Sequence, residues 1–400
     1  MSVNNKVPEI RFKGFSGEWK NKKIGRILAE IKRPIELMDN ASYQLVTVKR
    51  RNEGVVPRVV LKGKNILVKN YFSVKAGDYL ISKRQVVHGA NGIVPDNLDG
   101  AVVSNEYLVV TDSDDITARY WTVISIRPEM HKLFFVSSYG VDIEKLVFDV
   151  TDWKNRTIVI PQVTEQKNIT DYFQKLDALI NQHQQKHDKL SSIKKAMLEK
   201  MFPKQGDSIP EIRFKGFSGE WKKLTLGDLG SVAMNKRIFK HQTTIIGEIP
   251  FFKIGTFGKQ ADAFISKTLF DEYKAKYPYP VAGDLLLSAS GSIGRVVEYK
   301  GEEQYFQDSN IVWLKHDGKI DNAFLKVFYS MVKWSGLEGS TIQRLYNKNI
   351  LDTEISTPER HEQTAIGNYF QKLDALINQH QQQITKLNNI KQACLSRMFI

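Results

Sequence analysis

Two stretches of this chain occur twice, letter for letter. Pro8–Lys20 reads PEIRFKGFSGEWK and so does Pro210–Lys222, while Tyr172–Gln185 reads YFQKLDALINQHQQ and so does Tyr369–Gln382. Similarity continues past the second block, from KLSSIKKAMLEKMF at Lys189–Phe202 to KLNNIKQACLSRMF at Lys386–Phe399. Between the blocks, residues 23–160 and 225–357 share only scattered features. One is Ala76-Gly77-Asp78 leading to Ser82, matched by Ala282-Gly283-Asp284 leading to Ser288. Another is a proline followed by a Glu-Gln pair: Pro161 with Glu165-Gln166, and Pro358 with Glu362-Gln363. A plain duplication spreads its similarity along the whole repeat. Here the identical segments do one job twice, and the divergent ones do two versions of a job.

The second block carries helical periodicity. Phe173, Leu176, Ile180, His183, His187 and Leu190 fall at alternating spacings of three and four. Phe370, Leu373, Ile377, His380, Ile384 and Leu387 do the same in the second copy. That is the a/d seam of a coiled coil, with Gln, Lys, Asn and Asp on the solvated face. Pro203 with Gly206 ends the first helix, and Thr357-Pro358 reads as an N-cap with a first-turn proline for the second. Each helix then spans about 35–39 residues, roughly 50–60 Å. Its apolar stripe needs a cover, and the other copy supplies one, antiparallel because a whole globular region connects them. His183 and His380 fit as polar seam residues that set register rather than as metal ligands.

Short β-rich runs fill the intervening regions. Residues 44–49, 79–82, 107–111 and 157–160 read as strands in the first; 251–254, 285–288, 295–299 and 311–314 do so in the second. Residues 118–126 and 323–334 read as helices. The expected fold is α+β: two globular domains of mixed helix and sheet, joined by two long helices in an antiparallel coiled coil with pseudo-twofold symmetry.

Composition narrows the partner. A formal net charge of +14 points to a polyanion, with nucleic acid ahead of an anionic membrane surface. The single cysteine, Cys394, excludes an internal disulfide and any zinc-finger spacing, and fits a reducing cytoplasm. Met1–Ile10 does not resemble a signal peptide, and no run of about 18 apolar residues occurs, so no membrane partner is expected.

No catalytic constellation stands out. There is no phosphate loop and no GxGxxG; Gly291–Gly294 is only a GSIG turn. No Asn-Pro-Pro or Asp-Pro-Pro motif of an adenine methyltransferase is present. Asp284 with Glu298-Tyr299-Lys300 faintly resembles a D…ExK nuclease centre, a pattern that a strand of alternating charge explains as well. No cofactor is expected on this chain.

Candidate DNA-contact residues are better defined. In the first domain they are Lys49, Arg50 and Arg51 at a strand end, then Lys83, Arg84, Gln85, His88 and Asn91 around the loop Gly89-Ala90-Asn91-Gly92. In the second, Ser288, Ser290, Ser292 and Arg295 follow the equivalent strand, and Ser340, Thr341, Gln343, Arg344, Asn347 and Lys348 come later. Lys236-Arg237 and Lys240-His241 add a further basic cluster. Arginine matches guanine edges, and Asn or Gln matches adenine. Others of this set would touch phosphate alone.

Taken together the chain resembles the specificity subunits of type I restriction–modification enzymes over nearly its whole length. The resemblance rests on the twofold plan, on AGDLLLS (Ala282–Ser288), on the tract Gly339–Leu345, and on ISTPERHEQTAIGNYFQKLDALI (Ile355–Ile377) with its equivalent IVIPQVTEQKNITDYFQKLDALI (Ile158–Ile180). It implies a target-recognition domain at 1–163, a conserved helical region at 164–203, a second recognition domain at 204–356 and a second helical region at 357–400. It also implies a non-catalytic, sequence-specific DNA-binding role on double-stranded DNA, with a bipartite, asymmetric site. Two modification subunits and two restriction subunits are the implied partners, and S-adenosylmethionine, ATP and Mg belong to those. The first domain lacks the Ser-Gly-Ser run after its strand and has no clear counterpart to Gly339–Leu345. Two other readings are a self-contained nuclease, which needs a motif absent here, and a coiled-coil protein adaptor. The adaptor predicts weak, salt-insensitive DNA association, against the steep salt dependence of phosphate contacts.

Overall fold

The computed structural model describes residues 6–67, 70–336 and 343–400. They form two compact units: residues up to His183 together with Gln382–Ile400, and Gln184–Gln381. The two long helices are Val163–Lys200 and Arg360–Arg397, each of 38 residues and about 57 Å long.

Each unit contains the start of one long helix packed antiparallel on the end of the other. In the first, Asp177 accepts from Lys391 at 2.5 Å, and Phe173 packs against Phe399 with ring centroids 6.1 Å apart. In the second, Asp374 accepts from Lys194 at 2.5 Å, and Phe370 meets Phe202 at 6.5 Å. The same letters of the repeat make the same pairings. Phe173, Leu176, Phe370 and Leu373 are buried, whereas Ile180, Leu190, Ile377 and Leu387 are half-buried.

The identical segment Pro8–Lys20 and its copy Pro210–Lys222 close this packing. Trp19 packs edge-on against Phe399, and Trp221 packs edge-on against Phe202. Arg11 holds Glu165 through two bonds of 2.6 and 2.7 Å, and Arg213 holds Glu362 through two of 2.6 Å. Both carboxylates are 1% exposed. The neighbouring glutamines bridge outward. Gln166 donates to the Pro161 carbonyl and accepts from the Thr117 amide; Gln363 donates to Pro358 and accepts from the Asp321 amide. Thr117 and Asp321 cap the helices Ala118–Ser125 and Asn322–Met331, so each Glu-Gln pair ties a long helix to its own unit.

The sheets follow one plan. Lys20–Lys23 pairs with Thr157–Ile160 in the first unit, as Lys222–Thr225 pairs with Glu354–Thr357 in the second. A four-stranded antiparallel sheet runs in the order Ala29–Glu30, Tyr107–Thr111, Tyr79–Ser82, Asn91–Ile93. Its counterpart runs Ser231–Ala233, Ile311–Lys315, Leu285–Ser288, Val296–Glu298. Beyond this frame the units differ. The first adds a five-stranded sheet that includes the hairpin Ser42–Lys49 and Gly54–Lys62; the second adds a three-stranded sheet and the helix Lys267–Lys276.

Several boundaries differ from expectation by one to three residues, among them the helix expected at 323–334, which is Asn322–Met331. Thr357 does not cap the second long helix: it ends a strand by pairing with Lys222, and the helix begins two residues after Pro358. The strand expected at 251–254 is Ile249–Phe252, because Lys253 to Thr256 turns back on itself through the Thr256 hydroxyl.

Replacing Arg213 with Ala strands a carboxylate in the interior. It should lower stability by about 3–5 kcal/mol, and the paired change Arg213→Met with Glu362→Met should restore most of that. Urea unfolding checks both, and an unaffected single variant would show that the ion pair holds nothing.

Candidate nucleic-acid interface

In each unit the sequence Ala-Gly-Asp makes the turn that launches the central buried strand. Gly77 and Gly283 sit at φ +87° and +96°, a region costly for residues with a Cβ. The aspartate then accepts from the amide three residues back, Lys75 at 2.7 Å and Val281 at 2.9 Å. Here the copies part. Asp78 is also gripped by both terminal nitrogens of Arg33, at 2.6 and 3.1 Å. Asp284 is half-buried, and burial pushes its carboxyl above the usual range.

From the first turn's strand the chain enters residues 83–91, where two basic clusters meet. The hairpin tip has Arg51 at φ +60° and Asn52 at φ +57°, the consecutive left-handed pair of a tight turn that matches strand twist. This tip docks on the neighbouring loop: the Arg51 amide donates to His88, the Asn52 amide to Gly89, and the Asn52 side chain to Asn91. A Cβ on Gly89 would stand 2.7 Å from the Asn52 oxygen, so only glycine allows this approach. The result places Lys49, Arg50, Arg51, Lys83, Arg84, Gln85 and His88 on one surface. Arg50 donates to Gln85 at 2.9 Å and to Glu144 at 2.6 Å, Arg84 to Glu106 at 2.7 Å, and Lys83 to the Asn105 carbonyl at 2.6 Å. Asn91 is buried, so it braces the hairpin tip instead of facing outward.

The second unit departs further from the sequence expectation. Ser288 and Ser290 are buried. Ser288 donates to the Ser292 carbonyl and accepts from the Arg295 amide, and Ser290 donates to the Asn310 side chain. They shape the loop from within. Arg295 turns inward to the Phe257 carbonyl at 2.8 Å. Ser292, Gln343, Asn347 and Lys348 are exposed, and Ser340 and Thr341 lie outside the described residues. Arg344 is drawn next to Ser290 by a β-bridge, and the amide of Leu345 bonds Ala289. This brings Arg344 to an open cleft of about 660 Å³ shared with Arg237, Lys240 and Lys253. Arg237 donates to Asp308 at 2.9 Å, and Lys253 faces Asp262 at 2.9 Å. Lys236 stands over the Tyr277 ring. Glu106, Glu144 and Asp308 carried no sequence signal, because each meets its arginine from 22, 94 and 71 residues away; Lys253 and Asp262 lie in a turn region that no motif marks.

The three residues resembling a nuclease centre are used otherwise: Asp284 closes its turn, Glu298 accepts from Lys326 at 2.9 Å, and Lys300 is exposed. Among the described residues no group of three or more His, Cys, Asp or Glu is placed to hold a metal ion, and no helix is long and apolar enough to cross a membrane.

The unequal partners of the two turn aspartates make unequal predictions. Asp78→Asn should cost about 1–3 kcal/mol by leaving Arg33 without its counter-charge. Asp284→Asn should cost less, since Asn can keep the bond from the Val281 amide and no bidentate arginine grips this side chain as Arg33 grips Asp78. Thermal melts of the two variants distinguish these outcomes.

Comparison with known proteins bears on what these surfaces serve. Residues 218–389 match the family model described as the type I restriction modification DNA specificity domain. A type I restriction enzyme specificity subunit of Haemophilus influenzae is 54% identical over 158 residues, a match that spans 39% of this chain and 41% of that relative. The chain thus covers less than half the length of this relative. The crystal structure of a type I restriction–modification S subunit from M. genitalium overlays with a TM-score of 0.60 at 12% identity, covering 98% of this chain and 99% of that one. That overlay shows a shared fold across both units. The domain model and the sequence identity, each over part of the chain, together with the shared fold, make the chain similar to the type I restriction–modification specificity subunits.

Proposed function

We propose that this chain is the non-catalytic DNA-reading subunit of a type I restriction–modification enzyme, each unit reading one half of a split, asymmetric site. One observation carries the reading: a common frame presents two unlike surfaces. The Arg–Glu pair, the glutamine bridge and the Ala-Gly-Asp turn recur in both units. The tips they support do not: Arg50, Arg51 and Gln85 in one, Arg237, Lys240 and Arg344 in the other. Identical frames with different lettering suit a protein that reads two different words.

The exposed cations do two kinds of work. Phosphate oxygens compete with Glu106, Glu144 and Asp308 for the guanidinium groups, which sets affinity and position. Side chains reaching the groove floor, with Gln85 and Arg344 foremost, read base edges. Each long helix contributes to both units, and on this reading the pair would act as a ruler between the half-sites. Half-sites on one DNA face about 34 Å apart suit such a ruler. The duplicated segments Pro8–Lys20 and Pro210–Lys222 would meet two copies of one modification subunit. Adenine methylation with S-adenosylmethionine, and ATP- and Mg-dependent translocation and cleavage by two restriction subunits, would belong to those partners. The setting is the cytoplasm, where DNA is reached.

Methylome sequencing of cells expressing this chain with its modification subunit tests the reading. A methylated motif of two unequal words around an unread spacer is expected, and one continuous word would overturn it. Inserting one heptad, about 10 Å, into each long helix should widen the spacer by around three base pairs. An unchanged motif would remove the ruler. Arg344→Ala should relax only one of the two words, and equal loss in both would count against the assignment of words to units.

A further inference from the structure

Beside the basic surface of each unit stands an apolar tip that no core claims. In the second unit, Ile245 and Ile246 are adjacent and each 84% exposed. They follow Lys240 and His241, and Ile245 sits on the rim of the cleft that holds Arg237, Lys240 and Arg344. The loop is held firmly. The amide and carbonyl of Thr244 both bond Phe264 at 2.9 Å, the Thr244 hydroxyl donates to the Ile246 carbonyl at 2.7 Å, and a Cβ on Gly247 would stand 2.7 Å from Phe264. The backbone thus fixes two β-branched side chains facing outward.

The first unit reaches the same arrangement with unrelated residues. Val141 is fully exposed and Ile143 is 56% exposed. Their loop carries Glu144, whose carboxylate binds Arg50 at 2.6 Å, so this tip too adjoins the basic cluster. Single exposed aliphatics are ordinary on protein surfaces. An exposed aliphatic pair beside the cations, arrived at twice by different sequences, is a recurring element.

We propose that Ile245–Ile246 and Val141 with Ile143 are base readers that contact thymine methyl groups, one in each half-site. The inference rests on the DNA-reading function above and deepens it. Cations that flank an apolar point match the cross-section of a major groove, where phosphates border a floor whose one apolar group is the C5-methyl of thymine. An aliphatic side chain gains by excluding water from that methyl and gains nothing from the polar edges of the other bases. Each half-site therefore contains at least one thymine facing its tip.

The test uses the chain assembled with its modification subunit and duplexes in which all thymines of one half-site are replaced by deoxyuridine. Removing the methyls should weaken wild-type binding roughly five- to tenfold for either half. The double variant Ile245→Ala, Ile246→Ala should weaken binding to the thymine duplex by a similar factor and become indifferent to deoxyuridine in the half-site of the second unit. It should remain sensitive to deoxyuridine in the other half. With side chains so exposed the variant should melt like the wild type, and the wild-type arm stands without it. Equal wild-type affinity for thymine and deoxyuridine duplexes overturns the inference, as does a half-site with no thymine or undiminished methyl sensitivity in the variant. Loss of modification-subunit binding in the variant would also overturn it, by making the tip a protein contact. In each of these cases an Arg344→Ala variant that still relaxes one word leaves the DNA-reading function standing, whereas failure of Arg344→Ala to relax either word strikes that function itself.

Discussion

A buried carboxylate is tolerable only beside a charge that answers it, and that constraint organises this molecule. Glu165 and Glu362 lie in the first turns of the long helices, a position the helix dipole favours, yet both are almost wholly removed from water. Arg11 and Arg213 neutralise them and also donate to the carbonyls of Gly17 and Gly219, at 2.5 Å each. One guanidinium thus joins a glycine turn, its own segment and a helix start. The adjoining tryptophan packs on the end of the other long helix. A segment that must fit two helices at once has little freedom at its arginine and tryptophan, and both copies keep them, about two hundred positions apart.

A frame fixed so tightly releases what it carries. Both units keep the central strand between the same neighbours, with Tyr79 opposite Val110 in one and Leu286 opposite Trp313 in the other. Outside that sheet the units share little: a long hairpin in one, a short sheet with a helix in the other. Even within the frame the turn aspartates are treated differently, since Arg33 meets the buried Asp78 while the half-buried Asp284 has its carboxyl raised by burial. Divergence is confined to where the ion pair and the turn do not reach.

Those limits also govern what could be read from the letters. Strands bounded by a glycine turn and filled with apolar residues, such as Tyr79–Ser82 and Leu285–Ser288, were legible to the residue, as were Tyr107–Thr111 and Thr157–Ile160. The helices declared themselves through the three-four spacing of their seams. Gly54–Lys62 was not legible, because Pro57 interrupts it; the structure accommodates that proline opposite an irregularity between Leu45 and Val46. At the candidate interface, basic runs showed where charge gathers, but not which side chains face out. Ser288 and Ser292 look alike in a list, yet one is interior and the other exposed. Glu144 and Asp308 hold arginines from 94 and 71 residues away, a proximity that only the fold creates.

If the chain reads DNA as proposed, those acidic partners explain how a net charge of +14 is compatible with discrimination. Bare cations bind any polyanion, and such binding carries no sequence information. Here Arg50, Arg84 and Arg237 each already hold a carboxylate. A phosphate must displace that carboxylate, so the gain from backbone contact alone is a difference between two similar ion pairs and is small. On the proposed function, net binding would then depend on what the backbone contacts cannot supply: hydrogen bonds to base edges and the burial of apolar tips. Gln85 holds the Arg50 Nε, a bond that a phosphate at the terminal nitrogens need not break, so on the proposed function it would lower the entropy lost on docking. Weakening the sequence-independent contribution while orienting the reading groups moves the balance from affinity toward specificity.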